Sequence, residues 1–384
     1  MPFFFFSFTQ NKYSINFYSK KLFVVDSIII IGGGIVGASF AYHAKKNKIS
    51  EILLFSEALP GDKKQATTNT WGWVNGYADN DREYASLRLA SLNYWPELIK
   101  EIQTTSCSSK GAFFWDLEDS EIHQTINQHQ VWGHSVEIKT KANFEHSLPN
   151  LLNLPNNAGY GKNDLAIEGS QITRELLQTS QAKIMQKTVE KLIMKENKVI
   201  GIQAEDEIHY ADEVIIAAGL GAPFLLKSIN INFTMKSTLG LLAYTNQLPP
   251  LLRHPVTGID FHARQDSQGR LIIGGRFDDD ASKENNIEEA AKKLVSDMAS
   301  KLNYKGVIEL NHYTLGSRPL PNDGRPKIGR LKNSTGDIIK GAYIAVMHSG
   351  ITNAPIVAKF GIEEILTDEP NSLMHSFAPQ LKNE

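Results

Sequence analysis

Two hydrophobic rhythms run along this 384-residue chain. Residues 22–31 form a nearly continuous β-branched apolar run that stops at three glycines, and an Ala-rich stretch of helical period follows to about Lys46. Glu51 to Phe55 is a second apolar run, so the opening predicts strand, turn, helix, strand. Such a βαβ unit has parallel strands, which call for helices on the sheet faces. From Asp81 to Ile102, Tyr84, Leu87, Ala90 or Leu92, Trp95 and Leu98 recur at helical spacing and predict one amphipathic helix.

Residues 103–165 are less regular, rich in Asn, His, Ser and Gln, and read as an insertion outside the main sheet. Helix signals return at Ile172 to Leu177, and strand signals at Lys187 to Met194, Val199 to Ala204 and Glu213 to Ala218, the last running into Gly219. Thr238 to Thr245 and Arg270 to Gly275 predict antiparallel strands of a second, β-rich lobe, with a charged helix from about Asn286 to Leu302. Gly341 to Met347 is a final apolar strand, followed by His348, Ser349, Gly350 and a helix through Leu366. No internal repeat or long low-complexity tract is present.

With 41% hydrophobic and 21% charged residues, the chain can bury one large core or two medium ones, and two intertwined lobes are expected. A net charge of -2 and the lack of a Lys/Arg stripe exclude nucleic acid as an expected partner. The single cysteine, Cys107, rules out an internal disulfide framework and any multi-cysteine metal site, and fits a cytoplasmic location. At the start, Phe3 to Phe6 form an apolar knot ahead of a polar stretch. It is too short to span a bilayer and lacks the basic start and cleavage site of a secretory signal. Met1 to Lys21 therefore read as a dispensable or mispredicted appendage, with peripheral membrane contact as the sharper alternative.

Gly32, Gly33, Gly34, Ile35, Val36 and Gly37 satisfy G-x-G-x-x-G between a strand and a helix. In that context Gly32 permits the tight turn, Gly34 lets a pyrophosphate approach the backbone, and Gly37 lets helix and strand pack closely. Glu57 stands where an acid would bind ribose hydroxyls, with Ser56 as the alternative if the strand ends early. The motif alone does not separate NAD from FAD. Ala211 to Gly221 points to FAD, because a strand ending in a small-residue turn at Gly219 is where flavoproteins of the glutathione-reductase type bring backbone close to the dinucleotide a second time; an ordinary buried strand with a Gly cap is the alternative. The nucleophile elbow, the metal-binding H-E-x-x-H helix and the P-loop are missing, so hydrolase, metalloprotease and NTPase readings lack a base, and no metal site is assigned.

Several segments, in order, resemble the FAD-dependent D-amino-acid oxidase superfamily, which includes glycine oxidase and sarcosine oxidase, from about Val25 to Leu366. They are IIIIGGGIVGAS at Ile28 to Ser39, ATTNTWGWVNG at Ala66 to Gly76, ADEVIIAAGLGA at Ala211 to Ala222, SRPLPNDGRPKIG at Ser317 to Gly329 and YIAVMHSGITNAP at Tyr343 to Pro355. The second and last look most like a bacterial branch of uncharacterised oxidoreductases. The resemblance implies that Ala66 to Thr70, with Ala66, Thr67 and Thr68 foremost, line flavin and pyrophosphate, that backbone near Val189 contacts adenine, and that Ser349, Gly350, Ile351 and Thr352 lie beside the polar edge of the isoalloxazine. There a helix N-terminus would stabilise negative charge on the reduced ring. Cys107 is far in sequence from the segment where sarcosine oxidases carry a covalent cysteine, so the FAD is expected to be noncovalent.

Arg318 matches the arginine that clamps the substrate carboxylate in amino-acid oxidases of this family; pairing with Asp323 is the bland alternative. His348 is a candidate for flavin or substrate contact, against a loop histidine bonded to backbone. Tyr244 and Tyr313 could hydrogen-bond a substrate or a water, or simply pack. His262 and Arg264 fit either a substrate cavity or a solvated strand face. Pro319 and Pro321 would stiffen the arginine loop.

The fold expected is α/β: a Rossmann-like FAD-binding domain of glutathione-reductase type with an inserted, mainly antiparallel β-sheet substrate domain. Residues 22–102, 165–232 and 316–370 are assigned to the first, 103–164 and 233–315 to the second, with a tail at 371–384. The expected reaction is oxidation of the C–N bond of a small amino acid or amine, giving an imine that hydrolyses, with oxygen or a quinone as electron acceptor. A flavin-dependent hydroxy-acid dehydrogenase is the nearer alternative. An NAD-dependent dehydrogenase or a noncatalytic dinucleotide-binding protein is the remote one.

Overall fold

A computed structural model describes residues 24–77, 81–275 and 286–379. The Phe-rich appendage and the first two residues of the opening apolar run lie outside the described residues. β1 (Ser27–Ile31) turns through the glycines into α1 (Ile35–Lys46) and β2 (Glu51–Phe55), which pairs with β1 in parallel. β3 (Trp73–Val74) precedes α2 (Arg82–Glu101), which Asp81 caps by accepting the Tyr84 N–H at 2.8 Å. Then come β4 (Cys107–Trp115), α3 (Asp119–Val131), β5 (Val136–Thr140), α4 (Lys141–Phe144), β6 (Asn157–Ile167) and α5 (Gly169–Ser180). β7 (Lys183–Met185), β8 (Val189–Lys195), β9 (Lys198–Ala204), β10 (Glu207–Tyr210) and β11 (Glu213–Ile216) follow, before α6 (Ala222–Lys227). The second half holds β12 (Met235–Gln247), β13 (Val256–Gly258), β14 (Phe261–Gln265), β15 (Arg270–Gly275), α7 (Ile287–Ser300) and β16 (Leu310–Pro321). β17 (Lys327–Lys332), β18 (Ile338–Val346) and α8 (Gly350–Thr367) close the chain's main body.

The first sheet has a parallel centre in the order β18, β11, β1, β2, β7. Ile28 to Ile31 are buried on both faces, as a covered parallel strand requires. Ile28 and Ile30 pack with Phe40 of α1, Leu176 of α5 and Ile362 of α8. Ile29 and Ile31 face the other way, against Leu192, Ile202 and Leu225. Helices thus cover one face, while the antiparallel β8, β9 and β10 together with α6 cover the other. The strands need apolar cover, and a twisted hairpin supplies it as well as a helix.

The second sheet runs β16, β12, β15, β14, β13, β4, β6, β3, and is antiparallel apart from the β13–β4 pair. Along β12 the pleat sends Leu241 and Ala243 into a core with Val295 and Met298 of α7, leaving Gly240, Leu242 and Tyr244 on the opposite face. The expected boundaries at 165 and 316 fall inside β6 and β16, and β3, placed in the first lobe by sequence, pairs with β6. A strand that carries the chain from one sheet toward the other has no break in composition to mark it. Among the described residues no helix is long and apolar enough to cross a membrane.

Candidate active site

A cavity of about 1330 Å³ opens where β1, β2, β11 and β18 end, bounded on its far side by the second sheet. Ligands of parallel α/β sheets bind at such carboxyl ends, and this volume exceeds the roughly 300–1,000 Å³ of ordinary small-molecule sites, as a dinucleotide plus a substrate requires.

One end is built from backbone. Gly32 has φ +115°, and a Cβ there would stand 2.3 Å from the Ala217 carbonyl oxygen, so the turns after β1 and β11 touch. This is why the segment after β11 consists of small residues. A Cβ on Gly37 would lie 1.9 Å from the Gly32 carbonyl oxygen, which makes Gly37 the packing glycine of the motif; it does not itself line the cavity. The Ile35 N–H at the head of α1 donates to Thr67 Oγ1 at 3.1 Å. Gly32, Gly34, Ile35, Val36, Glu57, Ala66, Thr67, Val189 and Gly219 all line the cavity. So does Ser56, but its hydroxyl donates to the Ala58 carbonyl at 2.6 Å, leaving Glu57 as the acid after β2 with no ion pair among the described residues.

The adjoining wall is built from side chains. Arg318 and His348 line it together with Ser349, Gly350, Ile351 and Thr352. Arg318 makes no ion pair among the described residues: Asp323 pairs instead with Lys327 at 2.5 Å. Water reaches the Arg318 guanidinium through the cavity, yet enough protein surrounds it that desolvation lowers its pKa from the ordinary value. Its head lies over Gly240, where a Cβ would come within 2.4 Å of the guanidinium. His348 is held below 6.5 by burial and then by the charges of Arg318 and Arg88. His262, its ring 4.6 Å from that of Trp71, is pushed down to about 4 by burial and by Arg318. Both imidazoles are therefore neutral near pH 7.

The assignments of Tyr244, Thr68 and Arg264 are corrected. Tyr244 lies off the cavity, its ring stacked on His312 at 4.3 Å and packed with Trp71, Leu242 and Ile272; the nearer residue on that strand face, Leu242, lines the cavity instead. Thr68 points away as well, accepting from the Gly61 N–H at 3.2 Å and the Ser170 hydroxyl at 3.3 Å. Tyr313 takes the packing alternative, against the α7 core. Arg264 is neither solvated nor in the cavity: it is 2% exposed, bonded to Glu168 through both terminal nitrogens at 2.8 and 3.2 Å, and to the Ile167 and Trp71 carbonyls.

Sequence reasoning missed Arg88. It lines the cavity while only 7% exposed, donating to Ser349 Oγ at 2.7 Å and to Asn75 Oδ1. Its signal was readable, because it stands four residues after Tyr84 and seven before Trp95, on the apolar stripe of α2. Trp71, Trp73 and Tyr77 also line the cavity, with His129 and Trp132 from the α3 region, which no local motif singles out.

Comparison with known proteins fits this geometry. The glycine oxidase of Bacillus subtilis (strain 168) is 21% identical over 366 residues, covering 91% of this chain and 95% of that protein. The crystal structure of glycine oxidase from Geobacillus kaustophilus superposes with a TM-score of 0.74 at 20% identity, over 94% of this chain and 99% of that one. L-proline dehydrogenase from P. horikoshii gives a TM-score of 0.78 at 18% identity, over 92% and 96%. The residues present fit FAD: two glycines that tolerate no side chain at the turn, an acid after β2 that lines the cavity, and a cavity large enough for both halves. Cys107 does not line that cavity, which leaves no thiol for a thioether link. The model of the FAD dependent oxidoreductase family, DAO, matches residues 27–363, and the chain belongs to that family.

Proposed function

We propose that the protein oxidises the C–N bond of a small amino acid, with its carboxylate held by Arg318. The observation that carries this reading is the Arg318 guanidinium, which faces the cavity with no acidic partner among the described residues. A guanidinium offers two parallel N–H donors, so a carboxylate bound there has its α-carbon fixed in one orientation. FAD, when bound, accepts the hydride. The Cα–H bond breaks with its electron pair, the nitrogen lone pair closes the C=N bond, and water then hydrolyses the imine to an oxo acid and an amine or ammonia. That sequence needs a neutral substrate nitrogen, and the neutral imidazole of His348 is an acceptor that a neutral amine can donate to without meeting a second cation.

Anaerobic bleaching of the visible flavin spectrum by a panel of D- and L-amino acids, N-methyl amino acids and hydroxy acids tests the proposal. Bleaching by amino acids is the expected result. Bleaching by hydroxy acids alone, which Arg318 would hold equally well, would replace the amine by an alcohol. Admitting air, or a soluble quinone, to the bleached protein then identifies the electron acceptor.

A further inference from the structure

Among the described residues Arg88 is a buried cation with no counter-charge, its guanidinium 5.7 Å from the centre of the Tyr84 ring. Its guanidinium is held by two neutral groups, the Asn75 side-chain carbonyl and the Ser349 hydroxyl, and its Nε has no hydrogen-bond partner. No carboxylate pairs with it among the described residues. Burying a charge without a counter-charge is expensive, and folds keep such groups where a ligand completes them.

Its position says which charge is missing. Ser349 is the N-cap of α8, whose first turn lines the cavity. That turn is locked to α2: the Thr352 carbonyl accepts from the Trp95 indole at 3.0 Å and from the Ser91 hydroxyl, and Arg88 holds Ser349 from the same helix. The partial positive charge of the α8 N-terminus and the full charge of Arg88 therefore converge on one spot. Glu57 and Val189 would take the adenosine half on one side of the glycine turn, so the ring half would extend to the other, where a Cβ on Gly350 stands 3.4 Å from Val36 Cγ2 and Arg318 and His348 line the wall.

We infer that Arg88 is the counter-cation for the negative charge that hydride transfer places on the isoalloxazine. The balance is simple: the substrate loses a hydride, becoming an iminium, and the neutral oxidised ring gains one proton and two electrons, hence one negative charge. Arg88 thereby favours the reduced state of the cofactor and leaves carboxylate recognition to Arg318. The inference rests on FAD binding and not on the substrate class proposed above.

The test is the two-electron reduction potential of bound FAD, titrated against a reference dye without any amino acid, in the wild-type, Arg88→Gln and Arg88→Lys holoenzymes. Glutamine keeps hydrogen-bonding capacity and drops the charge; lysine keeps the charge. Reduction of Arg88→Gln should be at least tenfold less favourable, about 30 mV lower for two electrons, with most of the loss recovered in Arg88→Lys. An unchanged potential in Arg88→Gln overturns the inference. So does an equal fall in both variants, which would mark lost packing and not lost charge. If Arg88→Gln fails to retain FAD, Arg88→Met, which fills the same space without charge, takes its place under the same criteria. Because no substrate enters the titration, failure of the amino-acid proposal leaves this result intact.

Discussion

At the scale of single residues the site depends as much on missing side chains as on present ones. Arg318 reaches across β12 only because residue 240 has no Cβ, and His262 likewise lies over Gly274, where a Cβ would meet its Nε2 at 2.1 Å. Arg318→Ala should leave the protein yellow and lower kcat/KM for a confirmed carboxylate substrate about a hundredfold, near 3 kcal/mol. Unchanged kinetics would remove Arg318 from recognition. Gly240→Ala makes the subtler prediction. The added methyl displaces the guanidinium without removing it, so KM for carboxylate substrates should rise about tenfold while the flavin spectrum stays the same. A KM equal to wild type would mean that Arg318 binds its carboxylate from some other position.

Between elements, the loop that carries Ala66 to Gly76 has little regular structure and is fixed from outside. Arg264 holds it, bonding the Trp71 carbonyl with one nitrogen while its other two bind Glu168, the N-cap of α5. Arg264→Met leaves Glu168 and two carbonyls without a partner, and should cost about 3 kcal/mol of stability by urea titration and weaken FAD retention. A variant as stable as wild type would show the clamp to be dispensable. This clamp also marks the limit of what the sequence could tell. That the glycine turn, Glu57, Arg318 and the head of α8 line one cavity was legible because each belongs to a short segment whose chemistry is local. Arg264 was ambiguous because period-two alternation names a strand face and not what covers it. Tyr244 was misplaced for a related reason: it shares a face with Leu242, but only the packing of Trp71 decides which of the two meets the cavity. Arg88 went unread because its partners, Asn75 and Ser349, lie 13 and 261 residues away.

Across the whole molecule, buried histidines make stability depend on pH. His43, 1% exposed between α1 and α2, has its pKa pushed down to about 3, by burial first and then by Lys46. His262 is pushed down to about 4. For each the folded chain favours the neutral form, so as pH falls below 6.5 the unfolded chain takes up a proton that the folded chain refuses. The stabilisation is complete above 6.5 and declines as pH falls toward the folded value. Glu213 and Glu364, raised by burial, work in the opposite direction above 4.5, so the net slope of the wild type mixes the two. Comparing variants isolates one histidine. Between pH 6.5 and 4.5 the wild type should lose about 2 kcal/mol more stability than His43→Gln, measured by urea unfolding at saturating FAD. Parallel pH curves for the two proteins would mean that His43 titrates alike in both states, and that the packing of α1 against α2 opens enough to hydrate it.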